Sequence, residues 1–185
     1  MNAESNNPQR PGVMSINLIQ QLIDNYRQNH LSAINNTLGI EDAHSIWFDL
    51  PKLKKFIAMI EEEANRINPD TTEEDLGIRF YYASYPKIEN WNIMESHPVP
   101  KEYAERHTLV MIPTLKKENE AGDLLDYDFN SLDANGEKIS LALNARRPIL
   151  PDDGDGDGDG DGDNPGLGEN NGQLTPPKAS LGESY

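Results

Sequence analysis

The sequence predicts an α+β domain from about residue 14 to 146, a mixed sheet of three to five strands covered by two main helices, with unstructured ends. Three observations point there. Ile16, Ile19, Leu22, Ile23 and Tyr26 recur at helical spacing, and so do Leu53, Phe56, Ile57, Ile60 and Ile67. LGIRFYYASYP (76–86) and HTLVMIPTL (107–115) are dense in aromatic and β-branched residues, the composition of strands with both faces at least partly covered. From Pro148 onward the chain turns to low complexity, which sets the C-terminal boundary of the domain.

The elements follow in order. Residues 1–13 are polar and include Pro8 and Pro11, the composition of a disordered extension, and Met14 opens MSINLIQQLIDNYRQNH like a natural start. Ser15 suits an N-cap for a first helix running through Leu31 and Ile34 towards Gly39, whose missing Cβ suits a helix stop. AHSIWFDL (43–50) reads as a short strand, and Asp49 then caps a second helix that ends near Asn68-Pro69. Strand, helix, strand in that order implies a right-handed crossover with the first two strands parallel in one sheet.

Residues 86–107 form a long connection with three prolines and one helical turn after Pro100. Connections of this length are uncommon in compact domains and often functional. Trp91, Met94, His97 and Tyr103 on it are therefore the candidate partner surface. After Lys117, KKENEAGD reads as a turn and LLDYDF as a short edge strand. Asn135-Gly136 is a hairpin signal, and a last element closes the domain at Leu143. Residues 147–185 read as a disordered acidic tail rich in Gly and Asp.

Composition narrows the function. The chain of 185 residues carries a formal charge of −16, and the part from Pro151 holds seven Asp and two Glu against one Lys. Both halves are acidic. Nucleic acid is disfavoured, because binding it takes Lys and Arg to displace phosphate counterions, whereas a basic protein or cations would be attracted. With no cysteine, thiolate metal sites, disulfides and cysteine nucleophiles are excluded. The N-terminus shows no basic start with an apolar run, and no window approaches the length of a membrane span, so a cytoplasmic protein is the expectation.

The combination SIWFDLPKLKKFI, GIRFYYASYPK and HTLVMIPTLKK resembles a family of small bacterial proteins to which no activity is attached. In that family a Trp-Phe strand leads a helix, followed by a Gly-Ile-Arg aromatic strand and a strand ending in Pro-Thr. The resemblance spans roughly residues 40 to 117. It implies a compact α+β domain and carries no cofactor or catalytic residue.

Two stretches invite a calcium reading. In DDGDGDGDGDGDN (152–164), registers starting at Asp153, Asp155 or Asp157 place carboxylates at loop positions 1, 3 and 5 and glycine at 6, as an EF-hand does. The closing carboxylate is missing in each, since position 12 falls on Asn164, Gly166 or Gly168. A solvated, self-repelling spacer is the better reading. DYDFNSLDANGE places Asp126, Asp128, Asn130 and Glu137 at positions 1, 3, 5 and 12, but with Ser131 at 6 and Asp133 at 8. An acidic turn explains it more simply, and calcium is the one cofactor left open.

Of the four histidines, none sits in a His-x-His or His-Glu-x-x-His spacing. His97, Glu102, Glu105 and His107 could converge only through the fold. No nucleophile elbow or phosphate-binding glycine loop lies in the domain. The reading favours a non-enzymatic, acidic protein-interaction module. It ranks that above a calcium-binding protein using residues 126–137 or the Gly-Asp tail, and above an enzyme with a cleft bordered by residues 86–107. Oligomeric state is not legible.

Overall fold

The structure, a computed structural model, describes residues 12–129 and 168–175. Its class is α+β. Residues 1–11 of the expected extension (1–13), the Asn135-Gly136 hairpin, the element ending at Leu143 and the Gly-Asp repeat lie outside the described residues.

The first helical stretch is continuous from Ile16 to Leu38 but changes pitch on the way: α1 (Ile16–Asn25), a π-helical turn (Tyr26–Leu31) and α2 (Ser32–Leu38). The Ser15 side chain accepts a hydrogen bond from Leu18 N–H at 3.2 Å, satisfying one of the amides that a helix start leaves unpaired. Within the π turn, Ser32 N–H reaches the Arg27 carbonyl five residues back. Gly39 ends the stretch at φ 68°, a left-handed conformation that costs a residue without Cβ little.

Strand β1 (Ser45–Trp47) leads into α3 (Leu50–Ile67), where Asp49 accepts from Lys52 N–H at 2.8 Å and Pro51 occupies the first turn, which needs no N–H. Phe56, Ile60 and Ala64, spaced by four residues, form its buried stripe. Ile57 and Ile67, also anticipated on the apolar face, stay substantially exposed. Asn68, extended ahead of Pro69, stops the helix.

The main sheet is an antiparallel meander of β2 (Leu76–Ser84), β3 (His107–Glu118) and β4 (Leu124–Asp128) in the order β2-β3-β4. Its register pairs Leu76 with Leu115, Ile78 with Pro113, Phe80 with Met111 and Ser84 with His107. Alternation along the strands turns Leu76, Ile78, Met111 and Leu115 towards α3. Phe129 joins this face against Ala64. Arg79, Tyr81 and Asp128 share the opposite face.

Two expectations are corrected here. The strand at 45–47 does not enter the main sheet beside β2, so there is no parallel crossover. Instead it pairs antiparallel with β5 (Gln173–Thr175), giving a second, two-stranded sheet. The pairings among the described residues are all antiparallel, and the anticipated mixed sheet gives way to two antiparallel ones. The chain beyond residue 147, expected to stay outside the body, returns to it at 168–175. Glu169 bridges to Met111 of β3, and Leu174 is fully buried among Ala43, Tyr85 and Tyr103. Main-chain hydrogen bonding and one large apolar side chain draw this short polar stretch inward, and neither shows in its composition.

Candidate functional site

Most of the long connection expected to be the working surface is exposed, but its aromatic anchors turn towards the interior. Tyr103, on the helical turn Lys101–Tyr103, is buried, and Trp91 and Met94 pack partly buried against the cluster of Ala43, Tyr85, Tyr103 and Leu174. The Tyr85 ring lies 6.2 Å from Trp91 and 5.7 Å from Tyr103, a spacing typical of aromatic packing. His97 is exposed, its ring beside the Ser96 hydroxyl and its N–H donating to the Met94 carbonyl. Burial of the aromatic rings removes more apolar area from water than leaving them to await a partner.

The calcium window fares similarly. Asp126 and Asp128 lie on strand β4, where Asp128 is buried and both its oxygens are engaged, one by the Arg79 guanidinium and the other by the Tyr81 hydroxyl. Arg79 Nη2 also donates to the Asp126 carbonyl at 2.7 Å. A guanidinium already neutralises the carboxylate that a cation would need. The bond to Asp128 also holds the Tyr81 hydroxyl protonated, above the ordinary tyrosine range. Asn130 and Glu137 lie outside the described residues. Among the described residues, no three His, Asp or Glu side chains are placed to hold a metal together.

His97, Glu102, Glu105 and His107 do not converge either. Glu105 faces Lys87 at 3.8 Å, and the Glu102 backbone carbonyl accepts from Arg106. His107 alone reaches a constellation, with a partner that sequence spacing did not suggest. Asp42, on the link between Gly39 and β1, has its side chain completely buried. Its Oδ1 accepts from Ala43 N–H at 2.8 Å and from His107 N–H at 2.7 Å, while Oδ2 meets His107 Nδ1. Asn35 on α2 fixes the same turn by accepting from Asp42 N–H at 2.9 Å. The carboxylate is thus fully paired, as a buried charge must be.

This pair stands at a cleft of about 550 Å³ lined by Leu22, Tyr26, His30 and Ile34 of the first helical stretch, Tyr82 of β2, and His107. The π turn inserts a residue into the helical register where Tyr26 and His30 reach the cleft, a distortion common at functional sites. The two rings stack at 6.0 Å with 12° between their planes. Burial raises the Tyr26 pKa, with the Asp42 charge and Tyr82 adding to it, so its hydroxyl stays a hydrogen-bond donor.

The chemistry this permits is specific. With Nδ1 committed to Asp42, the proton of a neutral His107 sits on that nitrogen, and Nε2 across the ring is left as an acceptor. The walls offer aliphatic and aromatic surface, a phenolic donor, a second imidazole and the polar Asn25. Among the described residues, no helix is long and apolar enough to cross a membrane. Comparison with protein-family models, curated proteins and solved structures finds no match for this chain, leaving geometry to carry the function.

Proposed function

We propose that the protein binds a small organic molecule in the cleft between its first helical stretch and the β2–β3 edge, with His107 as the polar contact. The ligand has a flat apolar body for Tyr26, Tyr82 and Leu22 and an acidic hydroxyl or carboxylic group for Nε2. The observation that carries this reading is the buried Asp42 side chain holding His107 at the cleft wall. A structural histidine could be fixed by a backbone carbonyl; here a carboxylate, costly to bury, holds the ring through Nδ1 and leaves Nε2 as the acceptor. Nothing lining the cleft is a serine or threonine nucleophile. Binding, with His107 Nε2 as a hydrogen-bond acceptor, is therefore the reading the side chains support.

A set of phenols and aromatic carboxylates, followed by ligand-observed NMR against wild type and His107→Gln, tests it. Saturable binding to the wild type that weakens at least tenfold in the variant is expected. Equal binding to both proteins, or none to either, would sink the reading.

A protein partner is the second reading, and one observation favours it. Leu22 and Tyr82 are large side chains left open to solvent at the same cleft, Tyr82 at 90% exposure, and Phe80, two residues before Tyr82 on β2, is exposed as well. An amphipathic segment of a basic partner would cover them while meeting the acidic balance of the chain.

A further inference from the structure

Residues 168–175 are held in a way that differs from the rest of the body. Contacts to their main chain come from three directions. Glu169 exchanges both its backbone groups with Met111 on the edge of β3, at 2.9 and 3.1 Å. The Tyr85 hydroxyl donates to the Asn170 carbonyl at 3.3 Å, and the Lys52 ammonium to the Asn171 carbonyl at 3.0 Å. Leu174 N–H donates to the Tyr103 hydroxyl at 3.2 Å, the Thr175 carbonyl accepts from His44 N–H at 2.8 Å, and β5 pairs along β1.

Two side-chain positions are read most closely, with Thr175 buried beside them. A Cβ at Gly172 would stand 2.3 Å from an Ile46 methyl and 2.7 Å from the Phe48 ring, so nothing larger than glycine fits as the groove stands. Two residues on, Leu174 fills the apolar site of Ala43, Tyr85 and Tyr103 with no exposed surface. Main-chain pairing for affinity, with side-chain sites at alternate positions for selectivity, is how proteins capture extended peptides. Pro176-Pro177 follows at once and supplies no N–H to continue the pairing.

We infer that the groove bounded by β1, the β3 edge, Tyr85 and Tyr103 is a peptide-binding site selective for an extended Gly-x-Leu strand. It is filled by the chain's own residues 168–175 and, when these are displaced, takes the same strand from a second copy. The second copy is the occupant because its strand matches both constraints, glycine at the closed position and leucine at the deep one. Thirty-eight residues separate Phe129 from Gly168, so the strand reaches its groove from a distant point in the sequence, as an exchangeable element does. This site is distinct from the cleft at His107, although Ala43 of its wall donates its N–H to Asp42.

The test uses the full chain with Gly172→Val or Leu174→Asp, either of which expels the tethered strand. A fluorescent octapeptide of residues 168–175 stands in for the strand of a second copy. Both variants are expected to keep the far-UV helical signal and to bind the peptide saturably, at least tenfold more tightly than the wild type, whose groove is occupied. Peptides carrying the Gly172→Val or Leu174→Asp change should fail to bind. Equal affinity for wild type and variants, or undiminished binding of the altered peptides, overturns the inference. If both variants lose their helical signal, the strand is a core element the body cannot do without, and the inference fails equally.

Discussion

The two long helical stretches look alike as sequence and behave differently in the fold. Both carry apolar residues at helical spacing, and both begin at a side-chain cap, Ser15 in one and Asp49 in the other. Yet α3 buries Phe56, Ile60 and Ala64 against the sheet, whereas α1 buries no residue and leaves Leu22 51% exposed. Amphipathic spacing specifies that a helix forms and which face is apolar; how much of that face is covered depends on the sheet it meets. The meander offers Leu76, Ile78, Met111 and Leu115 to α3. Beside α1 it offers Tyr82, whose exposed ring closes little, and the result is a cleft instead of a core.

The contrast can be broken most sharply at its two apolar faces. Phe56→Ala should cost about 3–5 kcal/mol in urea unfolding, because the ring leaves a cavity within the cluster of Ile60 and Met111. Leu22→Ala should cost about 1 kcal/mol, since about half of the side chain is already in water. Equal losses would mean that the first stretch is packed as tightly as the second.

The caps offer a smaller effect. Asp49→Ala should lower global stability by about 1 kcal/mol, because α3 cannot fray without exposing its buried stripe. Ser15→Ala removes the same kind of bond from a helix end that buries nothing, so it should speed amide exchange of the first turn and leave the urea midpoint nearly unchanged. A full shift of the midpoint by Ser15→Ala would argue against this difference.

The finest probe is alkaline pH. Tyr26 has its pKa raised in the fold, chiefly by burial, so below the ordinary tyrosine value the folded state keeps the whole of this contribution. Above that value the unfolded chain ionises first, and the contribution is lost as pH climbs through the raised folded pKa. Urea midpoints between pH 8 and 11 should therefore fall more steeply for the wild type than for Tyr26→Phe. Superimposable curves would show that Tyr26 is not docked.

Much of the skeleton was legible in residues. Ser15, Gly39, Asp49 and Asn68-Pro69 mark helix ends through local bonds and backbone preferences that act within a few residues, so they can be read without the fold. Density of aromatic and β-branched residues located β2 and β3 for the same reason. Strand partners were another matter. Parallel pairing of β1 and β2 was inferred from element order, while the actual partner of β1 is three residues from near the C-terminus with one leucine between polar neighbours. No periodicity of two can show in a strand that short.

The site was less legible still. His107 was among the candidates, but Asp42 is one acidic residue of 32, and nothing local distinguishes a carboxylate that will be buried from one that will be solvated. Trp91 and Tyr103 pointed outward only so long as their neighbours were unknown, and Asp128 resembled a ligand until Arg79 was found beside it.

What the sequence determined by itself is what short-range forces settle: the class α+β, the helix boundaries, the two main strands and the acidic balance. The tertiary structure alone decided which strands pair, that residues 168–175 close the second sheet, and that Asp42 and His107 meet across sixty-five positions. The physical reason is that pairing and burial depend on the free energy of whole surfaces brought together, and the residues that share such a surface need leave no mark on one another in sequence.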